Sequence, residues 1–332
     1  MTESTKKHLL YLDGWRGIGL LLVIAGHFLP IPGINVGRLG VELFFVLSGR
    51  LMAEILFIKG TSLLEFYKRR ISRIFPALLV FVILFVAFDY VNSGSLIPPK
   101  MIASSLFFYS NYMAAIFGER IPSMEHTWSL AVEEHGYIVL SLIMLVTVAR
   151  RRGAVYFIWF LAVAAIINAG WQTYSLGGGY YEVFWRSDVR LASILISAAI
   201  CIHVNNKPFI TNPVVLFSIG VFGVLLSVNP VPDIIKYSLG TLCFALVVNH
   251  AAYLPQAVRT FLSNKFLVVF GVCSYSLYLW QQPFYKGIHG WGSRPFMLIG
   301  ALTAGFLSYY LIEKPARKWI NNYSFSSKNR NY

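Results

Sequence analysis

Apolar residues run through this chain in long blocks separated by short polar stretches. Eleven blocks, near 10–29, 40–59, 74–92, 101–117, 128–149, 154–172, 189–204, 213–229, 234–252, 266–286 and 295–312, are candidates for helices that cross a membrane. A spanning helix needs roughly 20 mostly apolar residues. The block at 101–117 is interrupted by Ser104, Ser105, Ser110, Asn111 and Tyr112, which is polar for a lipid-facing span. The pattern predicts an all-α integral membrane protein with a bundle of about ten transmembrane helices, with 101–117 re-entrant or non-spanning.

Composition strengthens that reading. Of the 332 residues, 57% are hydrophobic and 13% charged, against about 45–50% and about 25% in soluble domains. A disordered chain, a coiled coil and a disulfide-stapled secreted module are excluded by the same figures. A net charge of +14 would raise the question of nucleic acid, but the positive-inside rule accounts for it. With a cytoplasmic N-terminus and 101–117 not spanning, 18 Lys and Arg fall inside and 8 outside. If 101–117 spanned, the split would be 13 to 13. The charge therefore predicts both termini in the cytoplasm and no nucleic-acid partner. Cys201, Cys243 and Cys273 lie far apart in apolar runs, with no metal or redox spacing.

The first apolar block carries Asp13 and Arg16 and ends at Pro30 without a small-residue cleavage site, so it is expected to be kept as the first helix. Residues 1–332 are expected to form a single membrane-embedded domain. The two halves show no obvious repeat, which weighs against a secondary transporter.

An ionisable side chain within a span costs about 2.5–3.5 kcal/mol on insertion scales, so each is a functional candidate. Arg16 and His27 are eleven residues apart, close to three helical turns. They share a face and stand roughly 16 Å apart along the axis. Asp13, one turn before Arg16, can pair with it. Arg16 could equally snorkel to one interface and His27 cap the other. Glu42 opens the second helix, as an interfacial charge or as part of a site, and Arg50 lies deeper and must face protein or a polar cavity. The stretch FYKRRISRIFPAL places Arg70 and Arg73 one turn apart. That suits either a topology anchor or a phosphate-rich ligand, because arginine contacts phosphate in a bidentate manner. The densest cluster, HTWSLAVEEHGY, carries His126, Trp128, Ser129, Glu133, Glu134 and His135. Two adjacent carboxylates cannot share one helix face, so Glu133 and Glu134 are expected to meet different partners.

These segments together resemble the acyltransferase 3 family of integral membrane O-acyltransferases. The resemblance rests on YLDGWRG followed by His27, GVELFFVLSG, FYKRRISRIFPAL, HTWSLAVEEHGY, the Arg190 region, SYSLYLWQQPF and YYLIEKPAR, in that order. It implies that the pair Arg16 and His27 matches the family's Arg-x10-His pattern, with His27 as catalytic histidine. It implies that Arg70 and Arg73, with Arg16, bind the acyl-CoA donor, and that Ser129, Leu130, Glu133 and Glu134 match a Ser-Leu-x-x-Glu-Glu pattern. Trp128, Tyr275, Asp13 and Glu42 stand as supporting residues. Many members carry a histidine where this chain has Gln281, and an apolar residue where it has Arg50.

The expected activity is transfer of an acyl group, commonly acetyl, from cytosolic acyl-CoA to a hydroxyl of a surface polysaccharide or lipid-linked glycan. The expected setting is the cytoplasmic (inner) membrane, crossed many times and bathed in membrane lipid. Acetyl-CoA would be a co-substrate, with no permanently bound cofactor and no metal. His27 would serve as general base, its tautomer set by Glu133 or Glu134, or would carry the acyl group transiently. The competing class is a transporter or flippase of a glycan or lipid. It would place paired broken helices in both halves and ion-coupling carboxylates near mid-membrane.

Overall fold

A computed structural model of the chain describes residues 3–147, 151–287, 290 and 292–323. Of the basic residues in the topology count, Arg150, Lys328 and Arg330 lie outside them. Among the described residues no strand forms, and a lone antiparallel bridge joins Ile34 to Val228.

The helices are α1 (Glu3–Phe28), α2 (Val36–Ala53), α3 (Leu63–Ser93), α4 (Pro99–Leu106), α5 (Ser110–Phe117), α6 (Thr127–Val146), α7 (Arg151–Gly170), α8 (Tyr180–Phe184) and α9 (Ser187–Asn206). They continue with α10 (Pro213–Leu225), α11 (Asp233–Ile235), α12 (Thr241–Asn249), α13 (Gln256–Leu262), α14 (Lys265–Val272), α15 (Ser274–Lys286), α16 (Arg294–Ser308) and α17 (Lys314–Tyr323). Their limits are set by ordinary chemistry. The Asn35 side chain caps α2 by accepting from the Arg38 amide at 3.0 Å. Ser62 caps α3 in the same way, and Gly94, at φ 68°, ends it in a left-handed turn that favours glycine.

Five helical stretches are long and apolar enough to cross a membrane: Leu63–Ser93, Thr127–Val146, Gly153–Ser175, Ser187–Asn206 and Arg294–Asn322. Their outer faces carry exposed side chains such as Ile83, Leu84, Leu142 and Ile167, as lipid-facing surfaces do. The other expected segments are helical as well, but shorter, broken or charged. The 101–117 block forms α4 and α5, eight residues each, separated by a turn in which Phe108 adopts φ 59°. Each covers about 12 Å, far short of the roughly 30 Å of a hydrocarbon core. The 266–286 block is likewise divided at Cys273 into α14 and α15.

Among the described residues the bundle has two large apolar cores, beside a smaller cluster that includes Val183, Phe184 and Tyr237. One gathers Leu43, Val46, Val132, Leu140, Ile194 and Ala198 around α9, the most enclosed of the long helices. The other gathers Leu20, Phe81, Leu277 and Ala301 from α1, α3, α15 and α16. Val41 packs against both. The α1–α2 contact between them is tight. A Cβ on Gly26 would run into the Gly37 backbone, and one on Gly40 into Gly19. Small residues at both faces let the two backbones touch, and this close crossing brings Arg16 and His27 alongside α2.

Candidate active site

The first helical turns of α3 bring Arg70 and Arg73 against α1 and α6, where they line a cavity with Arg16, Glu133, Glu134 and Tyr275. Arg70 is fully engaged. Its Nη2 donates to Glu133 at 2.7 Å and its Nε to Glu134 at 3.2 Å. Its guanidinium carbon stands 3.5 Å above the Tyr137 ring. Ser48 Oγ donates to Glu133 at 2.7 Å, and the Tyr137 hydroxyl donates to the same oxygen. The expectation that the two carboxylates meet different partners is corrected here. One planar guanidinium spans both, because its Nε and Nη2 edges present parallel donors. Arg16 stands 3.9 Å from Asp13. Arg73 also faces the cavity and forms no ion pair among the described residues.

Beyond a wall made by Val41 and Tyr278, which face both spaces, lies a second cavity. It holds His27, His126, Trp128, Arg190, Glu125 and Lys286. His27 Nδ1 is 2.5 Å from Gln281 Oε1, and its ring stacks on Tyr285 at 4.5 Å between centroids, 10° from parallel. The expected pairing of His27 with Glu133 or Glu134 is therefore not what the fold makes. Arg70 holds both carboxylates in the other cavity, and an amide takes the place expected for them. Trp128 stacks on Trp185 at 5.1 Å and Lys286 pairs with Glu125 at 2.9 Å, giving this space both aromatic faces and charge.

The supporting residues fall into place around these spaces. Glu42 is enclosed, 2% exposed, and binds Arg190 Nη2 at 2.6 Å while Thr241 donates to its other oxygen. It holds Arg190 at the cavity wall. Ser129 Oγ and the Tyr278 hydroxyl are 2.6 Å apart, and Tyr275 donates to the Ile74 carbonyl at 3.0 Å, tying α15 to α3. His135 Nδ1 meets Ser187 Oγ at 2.6 Å, away from both cavities. Arg50 donates to the Val248 and Asn249 carbonyls at 3.1 and 3.0 Å. It places a cation on the negative C-terminal end of α12. Sequence reasoning marked Gln281 and Glu42, and what it missed are the contact of Gln281 with His27 and the pairing of Glu42 with Arg190. Two successive amides in an apolar helix were the available signal for the first.

Among the described residues, no group of three or more His, Cys, Asp or Glu has the arrangement to hold a metal ion. No solved structure matches the chain. The chain is 28% identical to O-acetyltransferase OatA of Staphylococcus aureus strain NCTC 8325 / PS 47 over 352 aligned positions, covering 94% of this chain and 58% of that protein. The OatA protein of strain COL matches to the same extent. The chain thus spans a little over half the length of the curated relatives it matches. A family model described as an acyltransferase domain covers residues 9–312, which contain both cavities and every residue that lines them. With nearly its whole length under that model, the chain belongs to the acyltransferase 3 family.

Proposed function

We propose that this protein is a multi-pass membrane O-acyltransferase that moves an acetyl group from cytosolic acetyl-CoA to a hydroxyl of a surface polysaccharide or lipid-linked glycan. The observation that carries the proposal is the pair of cavities on either side of Val41 and Tyr278, with arginines in one and His27 in the other. The names of the relatives, O-acetyltransferases, favour acetyl as the group.

In this reading Arg73 and Arg16 receive the phosphates of the donor. Arg70, anchored on Glu133 and Glu134, shapes the wall of this cavity beside them and is not released to the donor. The pantetheine arm runs the roughly 16 Å between the ends of the charged face of α1, past Val41 and Tyr278, and brings the thioester to His27. The acceptor occupies the second cavity against Trp128. His27 takes the hydroxyl proton as the new carbon–oxygen ester bond forms and the carbon–sulfur bond breaks. The proton then passes to the departing thiolate, leaving an O-acetyl ester, CoA and neutral histidine.

The distribution of basic residues favours ten spans with both termini in the cytoplasm, so that the arginine cavity opens to the cytosol and the histidine cavity away from it. Residues 1–332 act in this reading as one membrane-embedded unit of the cytoplasmic membrane, with acetyl-CoA as co-substrate and no resident cofactor. The test is acetyl transfer in sealed vesicles supplied with labelled acetyl-CoA on the cytosolic face. Label should enter glycan as alkali-labile ester with the parent protein and not with His27→Ala. Equal labelling by that variant would overturn the assignment.

A further inference from the structure

Gln281 and Gln282 are consecutive amides on α15, 1% and 4% exposed, in a helix otherwise suited to an apolar setting. Beyond His27 they form a line of hydrogen bonds. Gln281 Nε2 donates to Gln282 Oε1 at 3.5 Å, and Gln282 Nε2 donates to the Pro122 carbonyl at 3.2 Å. Gln281 Oε1 stands 2.5 Å from His27 Nδ1 at the other end.

The backbone carbonyl gives this line its direction. A carbonyl oxygen only accepts, so Gln282 must turn its NH2 to Pro122 and its oxygen towards Gln281. Among the described residues, that oxygen accepts from the Gln281 NH2. Gln281 is left with its oxygen facing His27, and an amide oxygen also only accepts. Nδ1 must therefore carry the ring proton, and Nε2 the lone pair. The stacked Tyr285 ring fixes the plane of the imidazole at the same time.

We infer that Gln281 is the positioning residue of His27, oriented through Gln282 by the Pro122 carbonyl, and that it locks the imidazole in the Nδ1–H tautomer with Nε2 as the basic nitrogen. This inference rests on the reading of His27 as the base. During transfer Nε2 takes the hydroxyl proton as the carbon–oxygen bond forms and the carbon–sulfur bond breaks, then delivers it to the CoA thiolate. Nδ1 keeps its proton throughout. An amide cannot accept that second proton, so the transient charge stays on the ring. The other charged or titratable groups in this cavity near His27 are His126, Tyr285 and the Lys286–Glu125 pair, and none is hydrogen-bonded to the His27 ring among the described residues.

The test is nitrogen-15 NMR of the full chain labelled at histidine in lipid nanodiscs, with His27→Ala to assign the signal. The parent protein should show a protonated Nδ1 and a bare Nε2. Gln281→Met should give a mixture of tautomers and lower the rate of CoA release from acetyl-CoA in vesicles at least about tenfold, with the acetyl-CoA KM unchanged. Gln281→Glu keeps an acceptor at the same reach and should restore both the tautomer and most of the rate. A parent spectrum with the proton on Nε2 overturns the inference. So does a Gln281→Met protein that keeps tautomer and rate. Should Gln281→Met not fold, the parent spectrum still decides. Should His27→Ala turn over normally, the base reading fails while the spectrum continues to judge the relay.

Discussion

Arg70 and Glu133 lie 2.7 Å apart in the arginine cavity, and Arg70 is bound to Glu134 at 3.2 Å as well. This doubles the role of a basic motif that reads from sequence as a simple anion site. Arg70 bridges two adjacent carboxylates, whereas Arg73, one turn on, lines the same cavity and makes no ion pair among the described residues. The two arginines should therefore fail differently. Arg73→Ala should raise the acetyl-CoA KM about tenfold or more, the worth of a charge-assisted hydrogen bond of roughly 1.5–3 kcal/mol, and leave kcat nearly unchanged. Arg70→Ala strands two carboxylates and should destabilise the protein by about 3–5 kcal/mol, the usual effect of removing one partner from a buried ion pair. Donor titrations and melting curves on purified protein separate the two. Identical behaviour of the two variants would reject the division of roles.

The Glu42–Arg190 pair is the most enclosed salt bridge of the molecule's described part, with side chains 3% and 1% exposed. Arg190 is further covered by the Tyr237 ring at 3.9 Å. Removing one partner leaves a charge with no water to receive it, so Glu42→Gln or Arg190→Met should each cost about 3–5 kcal/mol. Replacing both together should be milder than the sum of the two, because the stranded charge is gone. A thermal melt of the three variants in detergent tests this. Additive losses would mean that the pair is not coupled.

Much of this was legible before any fold was known. Charges inside apolar blocks stand out because they are costly there, which marked Arg16 and His27, while Arg70 and Arg73 were marked by their one-turn spacing in the basic stretch before the 74–92 block. The polar interruption of 101–117 marked a segment that breaks in two. The partners were not legible, because periodicity along one helix says nothing about which distant helix it meets. Glu42 and Arg190 are 148 positions apart, and His27 and Gln281 are 254 apart. A neutral amide also leaves no charge signal in the sequence. The placing of Glu133 and Glu134 away from His27 depended on the approach of α3, which brings Arg70 within reach of both. Arg50 was expected only to face protein or a polar cavity, and the C-terminal carbonyls of α12 are the protein groups it meets.

The glycine contacts between α1 and α2 predict a sensitivity that lies outside both cavities. A Cβ on Gly26 meets the Gly37 backbone, which cannot rotate away as a side chain can. Gly26→Val should part the two helices near the His27 end. It should lower stability by about 1–3 kcal/mol, the range for overpacked interiors, and reduce acetyl transfer more than acetyl-CoA binding. Gly33→Ala provides a contrast in the following loop, where a Cβ finds open space but the backbone sits at φ 83°. Its penalty should come from that local conformation alone and leave the ratio of transfer to donor binding unchanged. Equal loss of donor binding and transfer in Gly26→Val would contradict a distortion confined to the His27 end.

Val41 and Tyr278 face both cavities, so in the proposed transfer the donor arm running from the arginines to His27 would go between them. Val41 is the smaller and stands on α2 against both apolar cores, so on that route a larger residue at this position would stand in the way. Val41→Trp should block it. The nucleotide end of acetyl-CoA would still dock at Arg73 and Arg16, so equilibrium binding should change by no more than a few fold. The thioester could no longer reach His27, and kcat should fall by about a hundredfold or more, because a misplaced reacting group forfeits the advantage of proximity. Val41→Ala widens the same point and should keep transfer within a few fold of the parent, which separates blockage from a general intolerance of substitution. Binding of a non-hydrolysable acetyl-CoA analogue and single-turnover transfer, measured on the same preparations, decide the matter. Undiminished transfer by Val41→Trp would place the route elsewhere in the bundle.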